Sequence, residues 1–401
     1  MRLFKYKKKK GNEVMFLAAD TFVHNDGFFP VLLCLASKGV EVKVYFVTRK
    51  SFNAVKKSAS LWNWLNEYAA RITCFEGAQN NTFIKNMTRK FRKICFIVSA
   101  IVRKNTIVLL APNTGKLGDI LDKYTNIWYF LSYDGFDHAE RLNILYGLTA
   151  EQRKFSGKPP KTLNSNEVKS LKKVVSLTVD KEGYRRDYKW DKCLTIPFPY
   201  MQQWWLNFVK ENPPKYYRKE MVGKSGFITI ILLMKGIYYF ADGSDVDVLL
   251  DEIISAVRKH FPDILIVVKP KGHDKKYWLD DDALYNRYQD KNIVITYDTL
   301  MTLSYKTVFA VSTCQSSGNY YMLANGVPVI EYCRYSEGWK EIFPKETSIE
   351  EYGGVYVKDV KSLEACIGNI MKHKVDVEEL KEKIGYKDIK LDINLFMTSH
   401  I

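Results

Sequence analysis

The stretch from Thr307 to Tyr332, TVFAVSTCQSSGNYYMLANGVPVIEY, most constrains what this chain can fold into. Val308 to Val311 is a short apolar run of β-branched and aromatic residues, which predicts a buried strand. Ser312, Thr313, Ser316 and Ser317 follow, then Gly318. Tyr320, Tyr321, Leu323 and Ala324 continue at helical spacing, Gly326 is a helix stop, and Val327 to Ile330 is a second apolar strand. Strand, turn, helix, turn and strand in this order make a βαβ unit of a parallel sheet. A Ser/Thr/Gly turn between a buried strand and a helix exposes backbone N–H groups at the positive end of the helix dipole, a natural cradle for phosphate or carboxylate. The same residues also read as an ordinary βαβ turn with serine caps. This stretch alone does not choose between the two.

The same rhythm runs through the rest of the chain. Its 401 residues favour two domains, and a 46% hydrophobic, 14% aromatic composition supplies a sizeable core. Glu13 to Ala19 reads as a strand, Phe28 to Ser37 as a helix stopped by Gly39, and Val40 to Val47 as the next strand. Ser51 to Ala70 reads as one helix, and Ile72 to Phe75, Thr106 to Leu110 and Asn126 to Leu131 read as strands. Residues 197–224, with Pro213-Pro214, break the pattern. It restarts with strands at Phe227 to Met234 and Ile264 to Val268, separated by a helix from Val246 to His260. Leu363 to Ile384 reads as a closing helix. The expected domains are therefore a basic α/β domain at 1–200, a linker at 201–224, a second α/β domain at 225–372 and a helical tail at 373–401.

Charge separates the halves. Residues 1–200 hold 35 Lys+Arg against 17 Asp+Glu, a surplus of 18, within a net charge of +16 for the whole chain. The remainder, 26 against 28, is slightly acidic. One domain thus faces an anionic surface or ligand, and an anionic membrane leaflet or nucleic acid are the two obvious partners. The aromatics lie in apparent core strands and no RNA or DNA motif is present, which weighs against nucleic acid. Thr88 to Lys104 reads as a helix with basic residues at 89, 90, 92 and 93 and an apolar run from Ile94 to Val102. It suits either a headgroup layer or a buried helix with solvated ends. The apolar run after Lys7 to Lys10 is six residues, Val14 to Ala19, so no signal peptide is expected. Seven scattered cysteines without a CxxC pair fit reduced thiols in a cytosolic compartment, and six histidines form no HExxH, so no metal site is expected. The expected location is cytoplasmic, peripheral at most on the inner face of the membrane.

Chemistry is expected past the carboxyl ends of the strands. Lys269-Pro-Lys271-Gly272-His273 follows one strand of the second half, and Ser312 to Gly318 follows another. Cations, an imidazole and helix N–H groups on one sheet edge could together hold a phosphate. In the first half, the turn Asp20 to Gly27 carries His24 and Asp26, and Asn126 to Leu131 runs into Ser132-Tyr-Asp134-Gly135-Phe-Asp-His138. Each acidic residue also reads as a turn or cap residue.

The order KPKGHD, then NIVITYDTLMTLSYKTVFAVSTCQSSGNYYMLANGVPVIEY, resembles the nucleotide-binding half of bacterial GT-B glycosyltransferases. It looks most like the capsule and lipopolysaccharide group of sialyltransferases, Kdo transferases and CDP-glycerol phosphotransferases. The resemblance covers about residues 260–340, and the first domain by architecture only. It implies an α/β, GT-B-like fold with two Rossmann-like doubly wound domains facing a cleft. It further implies an inverting, metal-independent glycosyltransferase with no cofactor. Such an enzyme moves a sugar from a nucleotide-activated donor, CMP-sugar favoured, to a glycan or lipid-linked glycan acceptor in surface polysaccharide synthesis. His273 and Ser316-Ser317 match positions that contact the donor phosphate, and Tyr133-Asp134-Gly135 is the nearest match to the acidic motif that supplies the base. His273 is followed by Asp274 where the family has proline, and Tyr133 stands at the first acidic position. The expected catalytic residues are Asp134 and His273, with Asp26 and His24 in reserve. The expected substrate-binding residues are Lys269, Lys271, Gly272, Ser312, Thr313, Ser316, Ser317, Gly318 and Glu331, the last accepting from a ribose or sugar hydroxyl. A nucleotide-sugar epimerase of the same fold and a basic nucleic-acid-binding protein are the rival readings.

Overall fold

The computed structural model describes residues 12–18, 27–77, 82–102, 106–110, 120–121, 125–131, 173–177, 192–216, 218–232, 246–270, 281–337, 340, 344–384 and 386–397. Among them are two sheets, every pairing of which is parallel.

The first sheet contains β1 (Glu13–Ala18), β2 (Glu41–Phe46), β3 (Arg71–Cys74), β4 (Thr106–Leu110), β5 (Asn126–Leu131), β6 (Lys173–Ser176) and β7 (Lys192–Thr195), in the order β3-β2-β1-β4-β5-β6-β7. Its central strands are unbroken apolar runs because both faces are covered. Val14, Phe16 and Ala18 of β1 face helices α1 (Phe29–Ser37), α2 (Arg49–Lys57) and α3 (Ala59–Tyr68). Met15 and Leu17 face α4 (Thr82–Val102), whose Phe96 packs on Tyr45 at 4.8 Å between ring centres. Gly39, at φ 89°, ends α1 in the left-handed conformation that glycine adopts without strain.

Where one helix is predicted from Ser51 to Ala70, there are two. The chain turns extended at Ser58 (φ −82°, ψ 94°), and α3 begins anew at Ala59. The cause lies in the other domain: the Ser60 N–H donates to the carboxylate of Asp298. Within the stretch expected as a linker, Gln203–Glu211 forms α5. Its Trp205 and Phe208 pack edge-on against Trp64 of α3, so this helix belongs to the first domain's outer layer.

The second sheet contains β8 (Phe227–Leu232), β9 (Ile266–Pro270), β10 (Ile293–Ile295), β11 (Thr307–Ser312), β12 (Val329–Tyr332) and β13 (Val355–Val357), in the order β10-β9-β8-β11-β12-β13. One face packs on α6 (Val246–His260) and α10 (Val360–Asn369). The other carries α8 (Leu300–Leu303) and α9 (Ser317–Ala324). Between β9 and β10 lies α7 (Asp281–Tyr288). The apolar cluster on the α9 face is continuous with that of the first domain, joined where Tyr321 meets Tyr200 and Phe198 at 4.2 and 5.5 Å.

The closing helix predicted over 363–384 is also divided. After α10 the chain makes a 3-10 turn at Ile370–Lys372 and extends at His373. Asp376 then caps α11 (Val377–Lys383) by accepting from Glu379 N–H at 2.9 Å. Residues beyond α11 return to the first domain. Ile389 N–H donates to Gln202 Oε1, Lys38 Nζ donates to Leu391 O, and both Asn126 and Trp128 of β5 donate to Phe396 O in α12 (Asn394–Met397).

Candidate functional site

In each sheet the chain runs outward from a central strand on one side and then restarts on the other. The reversals lie between β1 and β4 and between β8 and β11. Ligands of doubly wound sheets bind outside the carboxyl ends of the strands at such reversals. In the second sheet the strand registers place Lys269 (β9), Ile231 (β8), Ser312 (β11), Glu331 (β12) and Tyr356 (β13) in one cross-strand row. Two separate polar stretches of the sequence, Lys269 onward and Ser312 onward, therefore leave the sheet on the same edge and flank β8.

The turn after β11 is closed by its own side chains. Ser312 Oγ donates to Cys314 O at 2.5 Å and accepts from Cys314 N–H. Thr313 directs its N–H, and its hydroxyl at 3.4 Å, to Ile231 O of β8. Ser316 is the N-cap of α9, its Oγ accepting from Gly318 N–H at 3.3 Å. Beneath the turn lies a buried polar hub. Glu331 takes Asn319 Nδ2 on one carboxylate oxygen at 3.0 Å and the Tyr335 hydroxyl on the other at 2.6 Å. Asn319 also donates to Cys314 O, and the Tyr335 oxygen accepts from Gln315 N–H, so the hub holds the turn from below. Burial first, then the Glu331 charge, raises the Tyr335 phenol well above its ordinary pKa, which keeps it a donor.

These contacts give the expected site residues structural roles of their own. Ser312 and Thr313 are fully buried, and their hydroxyls donate to Cys314 O of the turn and Ile231 O of β8. Glu331 is also fully buried, with both carboxylate oxygens bonded inside the protein, so it braces the turn where a sugar-hydroxyl acceptor was expected. Ser316, 6% exposed, acts as a helix cap. Gly318 has a packing reason: a Cβ there would overlap Leu300 Cδ1 of α8. Lys269 stands at the edge, half-buried, with its ammonium 3.2 Å from Pro270 O. His24, Asp26, Asp134, Lys271, Gly272 and His273 lie outside the described residues, as does the side chain of Ser317. In sequence, the segments that hold them directly follow β1, β5 and β9.

One buried group near this sheet edge escaped the sequence reading. Asp298, past the carboxyl end of β10, is buried at the contact between the domains. Its Oδ1 accepts from Ser60 N–H at 3.1 Å and from Ser58 Oγ at 3.4 Å, and its Oδ2 accepts from Thr296 Oγ1. Ser58 Oγ in turn accepts from Thr299 N–H, and Lys57 Nζ sits 5.0 Å over the Tyr297 ring. Burial pushes the Asp298 carboxyl above its ordinary pKa; the Ser60 amide, the Thr296 and Ser58 hydroxyls and the Lys269 charge oppose that shift. The available signal was the run Thr296-Tyr297-Asp298-Thr299 just past a strand end, which reads equally well as a turn. Among the described residues, no group of three His, Cys, Asp or Glu side chains is placed to hold a metal ion.

No protein-family model matches the chain, and no curated protein matches its sequence. Solved structures match its fold. Os79 from O. sativa, in complex with UDP, superposes with a TM-score of 0.51 at 12% identity, over 96% of this chain and 98% of that one. Medicago truncatula UGT71G1, complexed with UDP-glucose, gives a TM-score of 0.50 at 11% identity, over 94% and 93% of the two chains. The architecture is GT-B-like: two doubly wound Rossmann-type domains facing a cleft.

Proposed function

We propose that this chain is a glycosyltransferase. It moves a sugar from a nucleotide-activated donor to a glycan or lipid-linked glycan acceptor of surface polysaccharide synthesis, without a metal. The observation that carries this reading is the row at the carboxyl edge of the second sheet. Lys269 and the amino end of α9 flank the β8/β11 reversal on the edge where a doubly wound domain takes a nucleotide.

In this reading Lys269, Lys271 and His273, with the first turn of α9 at Ser316, Ser317 and Gly318, hold the donor phosphates and stabilise the charge that develops as the sugar C1–O bond breaks. Asp134 takes the proton of the acceptor hydroxyl, with Asp26 and His24 in reserve. The acceptor oxygen bonds to C1 from the opposite face, and the nucleotide leaves with the electron pair. Two of the matching structures hold UDP and UDP-glucose. A diphosphate also suits three cationic side chains better than a single phosphate does. We therefore place UDP-sugars ahead of the CMP-sugars expected from sequence.

A thermal-shift series with UDP, GDP, CDP and CMP tests the reading, because a ligand that binds only the folded state raises its stability. UDP is expected to give the largest shift, and Lys269→Met to reduce it. If none of the four shifts the transition, the donor site is elsewhere or absent.

A further inference from the structure

We propose that the outer face of α4 docks the first domain onto an anionic lipid surface. The inference is independent of the donor chemistry above. Phe96 and Ala100 turn one face of this helix into the first domain's core, against Tyr45 and Phe75. The opposite face is apolar and open. Met87, Phe91, Ile94, Val98 and Val102 are 57%, 67%, 57%, 52% and 72% exposed, and Ile101 is 38% exposed. At 100° per residue these six side chains form one ridge, roughly opposite Phe96. Exposed apolar residues scattered singly need no explanation; a ridge along most of one helix does.

Charge selects the occupant. The 21 residues of α4 contain Lys85, Arg89, Lys90, Arg92 and Lys93 and no acidic residue. Lys85 and Arg89 turn towards Glu76, and Arg92 donates to Cys74 O at 2.5 Å, so these three fasten the helix to its own domain. Lys90 and Lys93 are exposed along one flank of the ridge. A second copy of the chain, ridge on ridge, would bring these lysines near their own copies, and nucleic acid would leave Phe91, Ile94 and Val98 uncovered. An anionic headgroup layer satisfies both features: lipid tails take the ridge and headgroup phosphates take the lysines. No helix among the described residues is long and apolar enough to cross a membrane, so α4 lies in the plane of the surface. The 35 Lys+Arg against 17 Asp+Glu of residues 1–200 reinforce the attraction over the whole domain.

The full chain should co-sediment with vesicles of phosphatidylglycerol and phosphatidylcholine, bind pure phosphatidylcholine far less, and be released by salt. Phe91→Ser with Ile94→Ser should weaken vesicle binding by about tenfold or more at an unchanged melting temperature, since both side chains are exposed. Lys90→Glu with Lys93→Glu should weaken it by more than about twentyfold, from roughly fivefold per lysine lost at an anionic surface. Undiminished binding by the Phe91/Ile94 variant overturns the proposal, because other basic segments would then hold the vesicle. So does a wild-type dimer in solution that this variant converts to monomer, or RNA that binds more tightly than vesicles and is indifferent to the variant.

Discussion

Asp298 caps a helix of the opposite domain: its carboxylate accepts the Ser60 N–H at 3.1 Å, from a residue 238 positions earlier in the chain. A helix start leaves amide donors without intrahelical partners, and a capping side chain normally stands next to them in sequence. Here the second domain supplies it, so the start of α3 is complete only when the two domains are together.

Asp298 should make stability depend on pH. Its folded pKa lies above its ordinary value of 3.8, so the folded state keeps a proton that the unfolded chain has released. The corresponding stability is fully present below 3.8 and is lost as pH rises through the folded value. In urea titrations at a series of pH values, the wild-type midpoint should fall across that window, and Asp298→Asn should flatten the fall while retaining an acceptor for Ser60. Asp298→Ala should be less stable throughout by about 1–3 kcal/mol, the cost of an unmade buried hydrogen bond. Parallel pH profiles for wild type and Asp298→Asn would sink this assignment.

Glu331→Ala should destabilise by about 3 kcal/mol, since it strands Asn319 and Tyr335 beneath the α9 turn and each had been bonded to a charged acceptor. Nucleotide affinity of the protein that remains folded should change little. The reverse outcome, intact stability with lost affinity, would return Glu331 to the ligand.

Gly318→Ala should cost about 1–3 kcal/mol through overpacking, because its new methyl group meets Leu300. Combined with Leu300→Ala, the two losses should sum to less than their separate values, as expected of residues in contact. Additive losses in chemical denaturation would show that α9 shifts bodily instead.

Phe396→Ala should destabilise the first domain, by about 3–5 kcal/mol for a buried phenylalanine. Its ring lies 6.1 Å from Trp128, edge-on. Amide hydrogen exchange should quicken first in β5. Faster exchange confined to the second domain would contradict the packing.

The strands were legible in the sequence because a parallel sheet buried on both faces needs apolar runs, and β1, β4, β8 and β11 are such runs. The division between α2 and α3 was not, because its cause, Asp298, is remote in sequence. β13 is only three residues long and α7 has a weak apolar stripe, so neither shows a clear period. At the site, sequence located the carboxyl-edge turn but could not apportion its hydroxyls. Whether Ser312 serves a phosphate or Cys314 O depends on where the next two residues turn. For α4, the basic and apolar residues were legible, while the face that packs was decided by Tyr45 and Phe75.

The return of Asn394–Met397 to β5 also bears on synthesis. Asn126 Nδ2 and Trp128 Nε1 share Phe396 O across 270 and 268 residues. A growing chain emerges amino end first, and domains ordinarily fold as they appear. This first domain waits with one side of β5 uncovered until Phe396, 268 residues after Trp128, has been synthesised.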